Sequence, residues 1–210
     1  MKRIEHNTGD FIFPFVEYSP EAMTDKEKLP LIIQLHGAGE RGNGKDDLHL
    51  VDVHGFSNHI KDKEIPAIFV MPQCPTGDFW AGRVESIADF VQELIRHFPV
   101  DVDKVYLTGL SMGGFGTWYT AMAHPHLFAA IAPICGGGMA WNAASLTMPV
   151  WAFHGAIDNV VSPMHSDEMV EALKKEGKDV TYTRLDGVGH NSWIYAYNDA
   201  LIDWFLSKKR

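Results

Sequence analysis

Short apolar runs closed by glycine or proline alternate along this chain with longer stretches of mixed polarity. Residues 29–37 (Leu-Pro-Leu-Ile-Ile-Gln-Leu-His-Gly), 67–72, 105–110, 129–135 and 150–155 are such runs. Continuous apolar runs of this length suit strands buried on both faces of a parallel sheet. Residues 11–18 also read as a strand, with Pro14 marking an edge position, and 180–185 alternates as a sheet edge does. Between them, Ile87, Phe90, Val91, Leu94, Ile95 and Phe98 recur at helical spacing and predict an amphipathic helix over 84–98. Helices are also expected at 113–123, stopping before Pro125, from Ser162-Pro163 to Gly177, and at 194–206. The polar stretch 40–64 predicts a helix within 47–60.

Strands and helices alternating at this pace predict an α/β fold, a three-layer αβα sandwich around a mostly parallel, doubly wound sheet. The length of 210 residues, with no internal repeat, predicts a single domain over 1–210. A formal charge of -9 argues against nucleic acid or an anionic membrane as a partner, since both recruit clustered cations. The basic Lys208-Lys209-Arg210 is read as a solvated helix end. No apolar stretch approaches a membrane span, and no signal peptide is visible, so a cytoplasmic location is expected. Oligomeric state stays open.

The run 105–110 leads into Gly109-Leu110-Ser111-Met112-Gly113, followed by small and apolar residues that can open a helix. A serine on a sharp strand-to-helix turn is lifted clear of the sheet, and small residues two places either side let strand and helix approach. With this motif in that context, the chain resembles the α/β-hydrolases, specifically the small carboxylesterases without a cap domain and the phospholipase-carboxylesterase-like group. The segment 138–149 is too short for a cap.

A serine hydroxyl needs a base, and the base needs an orienting acid. In this fold they follow in the order Ser, Asp or Glu, His. Asp158, in His154-Gly155-Ala156-Ile157-Asp158, and His190, in the loop after the last strand, take the places the resemblance implies. The catalytic residues expected are therefore Ser111, Asp158 and His190. The oxyanion hole is expected from the amides of Met112 and Ala38, the latter in His36-Gly37-Ala38-Gly39-Glu40-Arg41-Gly42, with Gly39 as second choice. His36 is read as a hydrogen-bonding residue that fixes this loop. Trp80 and Phe79 are expected near the site mouth, and Trp141 and Gly39 near the substrate.

His49, His54 and His59, with Asp46, Asp47 and Asp52, do not stack on one helix face, so neither a metal nor a cofactor is expected. Cys74 and Cys135 follow strands separated by two others, and are expected to be unpaired. The expected activity is serine carboxylesterase on small-molecule esters, small or aromatic, through an acyl-enzyme. Feruloyl or acetylxylan esterase activity is one alternative. The His-Gly-Ala-Gly loop also resembles prolyl-oligopeptidase-type peptidases, though the propeller those usually carry is missing. A non-catalytic binding protein on a hydrolase scaffold is a further alternative, disfavoured because no member of the triad is lost.

Overall fold

The computed structural model describes residues 1–24 and 27–210. Eight strands form one sheet in the order β1-β2-β4-β3-β5-β6-β7-β8. They are β1 (Lys2–His6), β2 (Phe15–Ser19), β3 (Leu29–Leu35), β4 (Ile68–Pro72), β5 (Val100–Leu110), β6 (Ala130–Ile134), β7 (Val150–Gly155) and β8 (Val180–Leu185). The six strands from β4 to β8 in sheet order run parallel, while β1 and β2 pair antiparallel at one edge. All seven residues of β3 are buried, as are all five of β4 and of β6, which is what continuous apolar runs between two helical layers require.

Among the described residues, six α-helices accompany them: α1 (Ser57–Ile60), α2 (Val84–His97), α3 (Met112–Ala123), α4 (Met164–Lys175), α5 (Trp193–Ala196) and α6 (Asp199–Leu206). One apolar layer joins Ile33, Leu35 and Leu107 of the sheet to Phe90 and Leu94 of α2, Trp118 of α3 and Leu173 of α4. The other joins Ile32, Tyr106 and Phe153 to Phe56, Leu201 and Phe205. Alternate residues of β3 and β5 thus serve opposite layers, and the architecture is the expected three-layer αβα sandwich.

Three expectations are corrected. Pro14 does not mark an edge, because the polar β1 pairs outside β2 and takes that position itself. The helix expected within 47–60 is a 3-10 turn (Leu48–Asp52) followed by the single turn α1. The C-terminal helix is broken between α5 and α6, where Asn198 accepts a hydrogen bond from the Leu201 amide at 3.0 Å and starts a new helix. Cys74 follows β4 and Cys135 follows β6, with β3 and β5 between, and both are buried free thiols.

Candidate active site

Ser111 stands between β5 and α3 with φ 52° and ψ -115°, a left-handed conformation that a non-glycine residue adopts only under constraint. The constraint is local. Its amide donates to Ile134 O at 3.0 Å and lies 3.3 Å from Cys135 Sγ, while its carbonyl accepts from Phe115 at 3.1 Å. The two flanking glycines are dictated by space. A Cβ at Gly109 would lie 2.4 Å from Gly113 O, and one at Gly113 would lie 2.0 Å from Leu35 O.

The Ser111 hydroxyl lies 2.9 Å from His190 Nε2 and can donate to it. On the far side of the ring, His190 Nδ1 donates to Asp158 Oδ2 at 2.7 Å. Asp158 Oδ1 accepts from the amides of Val160 (2.9 Å) and Val161 (3.0 Å). Burial alone raises the pKa of this carboxyl, but the His190 hydrogen bond and the two amides outweigh it and hold the group below its ordinary value. The order of residues 111, 158 and 190 therefore becomes a contiguous relay. Gly155 makes the last step possible, since a Cβ there would sit 2.1 Å from Gly189 O, where the His190 loop crosses the end of β7.

His154 is wholly buried, with Nε2 3.0 Å from Val161 O and 3.3 Å from Asp158 Oδ2, and Nδ1 2.7 Å from Ser166 Oγ. It braces the loop that presents Asp158. Cys135 lies beneath the same cluster, its sulfur, an Asp158 oxygen and a His190 nitrogen all within 4.8 Å of one another. Burial pushes its thiol up to about 12, so it stays protonated and cannot compete as a nucleophile.

Met112 opens α3 and Ala38 opens a 3-10 turn (Ala38–Glu40). First-turn amides have no acceptor within their own helix, so both are available as donors. The two openings are adjacent: a Cβ on Gly37 would lie 3.8 Å from that of Ser111. His36 fixes this loop. Its Nδ1 donates to Gly37 O at 2.6 Å, Nε2 accepts from the Cys74 amide at 2.9 Å, and its carbonyl accepts from Trp80 Nε1 at 3.0 Å. Burial lowers the pKa of the ring to about 4, in keeping with a neutral tautomer that must accept at Nε2.

Two of the aromatic residues expected near substrate are placed elsewhere. Trp80 is fully buried, its Cβ 2.5 Å from where a Cβ on Gly116 would lie, so it packs between the His36 loop and α3. Trp141 is 83% exposed and does not line the groove beside Met112. Gly39 is exposed, with nothing within 4 Å of a Cβ built on it. Phe79, expected at the site mouth, does line an apolar groove of about 430 Å³, together with Ala81, Met112, Phe115 and Tyr119. Positions 112, 115 and 119 share one helix face, a spacing visible in the sequence but read there only as helix.

The profile of the phospholipase/carboxylesterase family matches residues 80–206. The chain is 27% identical over 173 residues to a bifunctional acetylxylan esterase/xylanase of Neocallimastix patriciarum, covering 77% of this chain and 23% of that protein. It is 30% identical over 149 residues to poly(3-hydroxyalkanoate) depolymerase C of Paucimonas lemoignei, covering 54% of this chain and 36% of that one. The chain thus spans about a quarter to a third of the length of these curated relatives. Among solved structures, a thermostable esterase superposes with a TM-score of 0.83 at 29% identity, over 100% of this chain and 63% of the other.

Proposed function

This chain belongs to the phospholipase/carboxylesterase family, and from that premise we propose that it is a serine carboxylesterase that works through an acyl-enzyme. The observation that carries the reading is the relay from Asp158 Oδ2 through His190 to the Ser111 hydroxyl, at 2.7 and 2.9 Å. His190 takes the serine proton as Ser111 Oγ attacks the ester carbonyl, then passes it to the departing alcohol. Asp158 stays ionised, fixes the tautomer of His190 and stabilises the imidazolium. Negative charge developing on the carbonyl oxygen is met by the amides of Ala38 and Met112, each contributing about 3 kcal/mol to the transition state. Water then repeats the sequence and frees the acid.

The acyl group is assigned to the groove that begins at Met112. Its walls of Phe79, Phe115 and Tyr119 suit a short or a flat aromatic acyl group. Acetylxylan and feruloyl esters combine such acyl groups with sugars and are the substrate class this geometry favours.

A fluorophosphonate probe tests the assignment. It labels the wild-type protein, and Ser111→Ala abolishes both labelling and hydrolysis of p-nitrophenyl acetate, by about four orders of magnitude, without changing the melting temperature. A Ser111→Ala protein that keeps a tenth of the wild-type rate excludes Ser111 as nucleophile.

A further inference from the structure

A second trough, of about 400 Å³, shares no lining residue with the Met112 groove. Its walls include His54 and Gly55, Asn58 and His59 of α1, and Trp193 and Ile194 of α5 after His190. The Trp193 ring meets the His190 ring edge to face at 5.4 Å, and the His54 ring at 5.2 Å. The trough therefore adjoins the imidazole whose Nε2 faces Ser111.

Its lining carries a free acceptor, Asn58 Oδ1, and two buried polar groups without a partner among the described residues, Trp193 Nε1 and the Tyr197 hydroxyl. His54 Nδ1 donates to Glu40 Oε1 at 2.8 Å, which leaves Nε2 as the ring's second polar atom. Asn58 directs Nδ2 at the carbonyls of Val53 (3.1 Å) and Asp52 (3.4 Å), which leaves Oδ1 as an acceptor. Neither atom has a protein partner among the described residues. The nearby Lys63 ammonium is bound to Asp199 Oδ1 at 2.6 Å and lies 2.8 Å from His59 Nε2, and among the described residues no lysine or arginine lines the trough. Beside these atoms stand the indole of Trp193 and the exposed side chain of Ile194. The His54 segment is held in place by the buried Gln34 of β3, which donates to His54 O (3.1 Å) and accepts from the Phe56 amide (2.7 Å).

We propose that this trough is the subsite for the alcohol half of the ester, and that it takes a neutral, hydroxyl-rich ring, a sugar unit. The proposal rests on the roles assigned above to Ser111 and His190 and on the sugar esters named there, and adds where the sugar sits and which residues hold it. The departing oxygen must collect its proton from His190 Nε2, so the alcohol leaves on the side of His190, where Trp193 is the adjoining wall. Asn58 Oδ1 accepts from a hydroxyl and offers nothing to a phosphate or carboxylate, and the nearby Lys63 ammonium is taken up by Asp199 and His59. An indole and an aliphatic side chain meet the C–H face of a sugar ring, while its hydroxyls reach His54 Nε2 and Asn58 Oδ1.

The test holds the acyl group constant and varies the alcohol: acetylated xylobiose, ethyl acetate and 1-acetylglycerol 3-phosphate. The expected order of kcat/KM is sugar first, by about tenfold over ethyl acetate, and the anionic ester last, since a site built to bind hydroxyls discriminates against alcohols that lack them. Hydrolysis of none of the three overturns the esterase reading itself. Hydrolysis with ethyl acetate or the phosphate ester equal to or ahead of the sugar ester overturns the subsite and leaves the esterase reading standing. Asn58→Ala lowers the sugar-to-ethyl ratio by about three- to tenfold, the value of one hydrogen bond; an unchanged ratio overturns the assignment of Asn58. Independently of any variant, xylobiose inhibits p-nitrophenyl acetate hydrolysis by the wild-type protein competitively, and a complete lack of inhibition overturns the proposal.

Discussion

Replacing Gly113 by alanine tests whether the elbow's geometry rests on contact between α3 and β3. The added Cβ would stand 2.0 Å from Leu35 O and 2.8 Å from His36 O. An unstrained contact begins near 3.4 Å, so strand and helix must part by roughly 1.4 Å. Neither partner is a flexible side chain: Leu35 closes the fully buried β3, and Gly113 lies in the first turn of α3. The helix therefore shifts, carrying with it the Met112 amide and Ser111. A displacement of about 1 Å at a reacting group costs on the order of a hundredfold in rate. Overpacking of this kind costs about 1–3 kcal/mol, which for a chain of this length lowers the melting temperature by about 3–10 °C. The assay is kcat/KM for p-nitrophenyl acetate beside a thermal melt, with Gly82→Ala as control, since a Cβ there has nothing within 4 Å. A Gly113→Ala protein with more than half the wild-type activity and an unchanged melting temperature refutes the reasoning.

Three further outcomes are expected. Asp158→Asn lowers kcat by about 10³- to 10⁴-fold, because an amide nitrogen in the Oδ2 position favours the wrong His190 tautomer; a loss below tenfold contradicts the role given to Asp158. His36 is neutral in the fold, with its pKa lowered from 6.5 to about 4, so the unfolded chain binds the extra proton between those values. Its contribution is fully present above pH 6.5 and is lost, by about 3 kcal/mol, as pH falls to 4; urea unfolding should show a shallower pH slope for His36→Asn than for wild type, and equal slopes reject the assignment. Across p-nitrophenyl esters, kcat/KM should peak between acetyl and butyryl and fall by decanoyl; a rate still climbing at twelve carbons would reveal an apolar channel beyond Phe115 and Tyr119.

The parallel core of the sheet is legible in the sequence because an apolar run of five to seven residues bounded by glycine or proline has few other places to go. The meeting of Ser111, Asp158 and His190 is legible for a related reason: each follows a different parallel strand, and all such strand ends face one edge. What escapes is decided by packing partners rather than local pattern. β1, Lys-Arg-Ile-Glu-His, has no apolar alternation and becomes a strand only by pairing with β2. Trp80 and Phe79 are adjacent aromatics, and only the space beside Gly116 and the His36 carbonyl decides that Trp80 is buried and Phe79 exposed. Cys135 reaches the site through a left-handed backbone turn at φ 40°, which its surrounding sequence does not announce.

β8 borders solvent, pairs with β7 alone and has no fully buried residue, whereas β5, which ends at Ser111, lies between β3 and β6 with its last six residues buried. The base is therefore carried by the flank of the sheet and the nucleophile by its middle. Edge elements open locally at lower free energy than central ones. Warming or mild urea should first loosen β8 and carry His190 away from a serine still locked in place. Hydrolysis should then fade while circular dichroism and tryptophan burial in the interior still report a native protein, and amide exchange along 180–185 should outpace that along 105–110. Inactivation would thus be a reversible parting of two halves of a machine, separate from collapse of the scaffold.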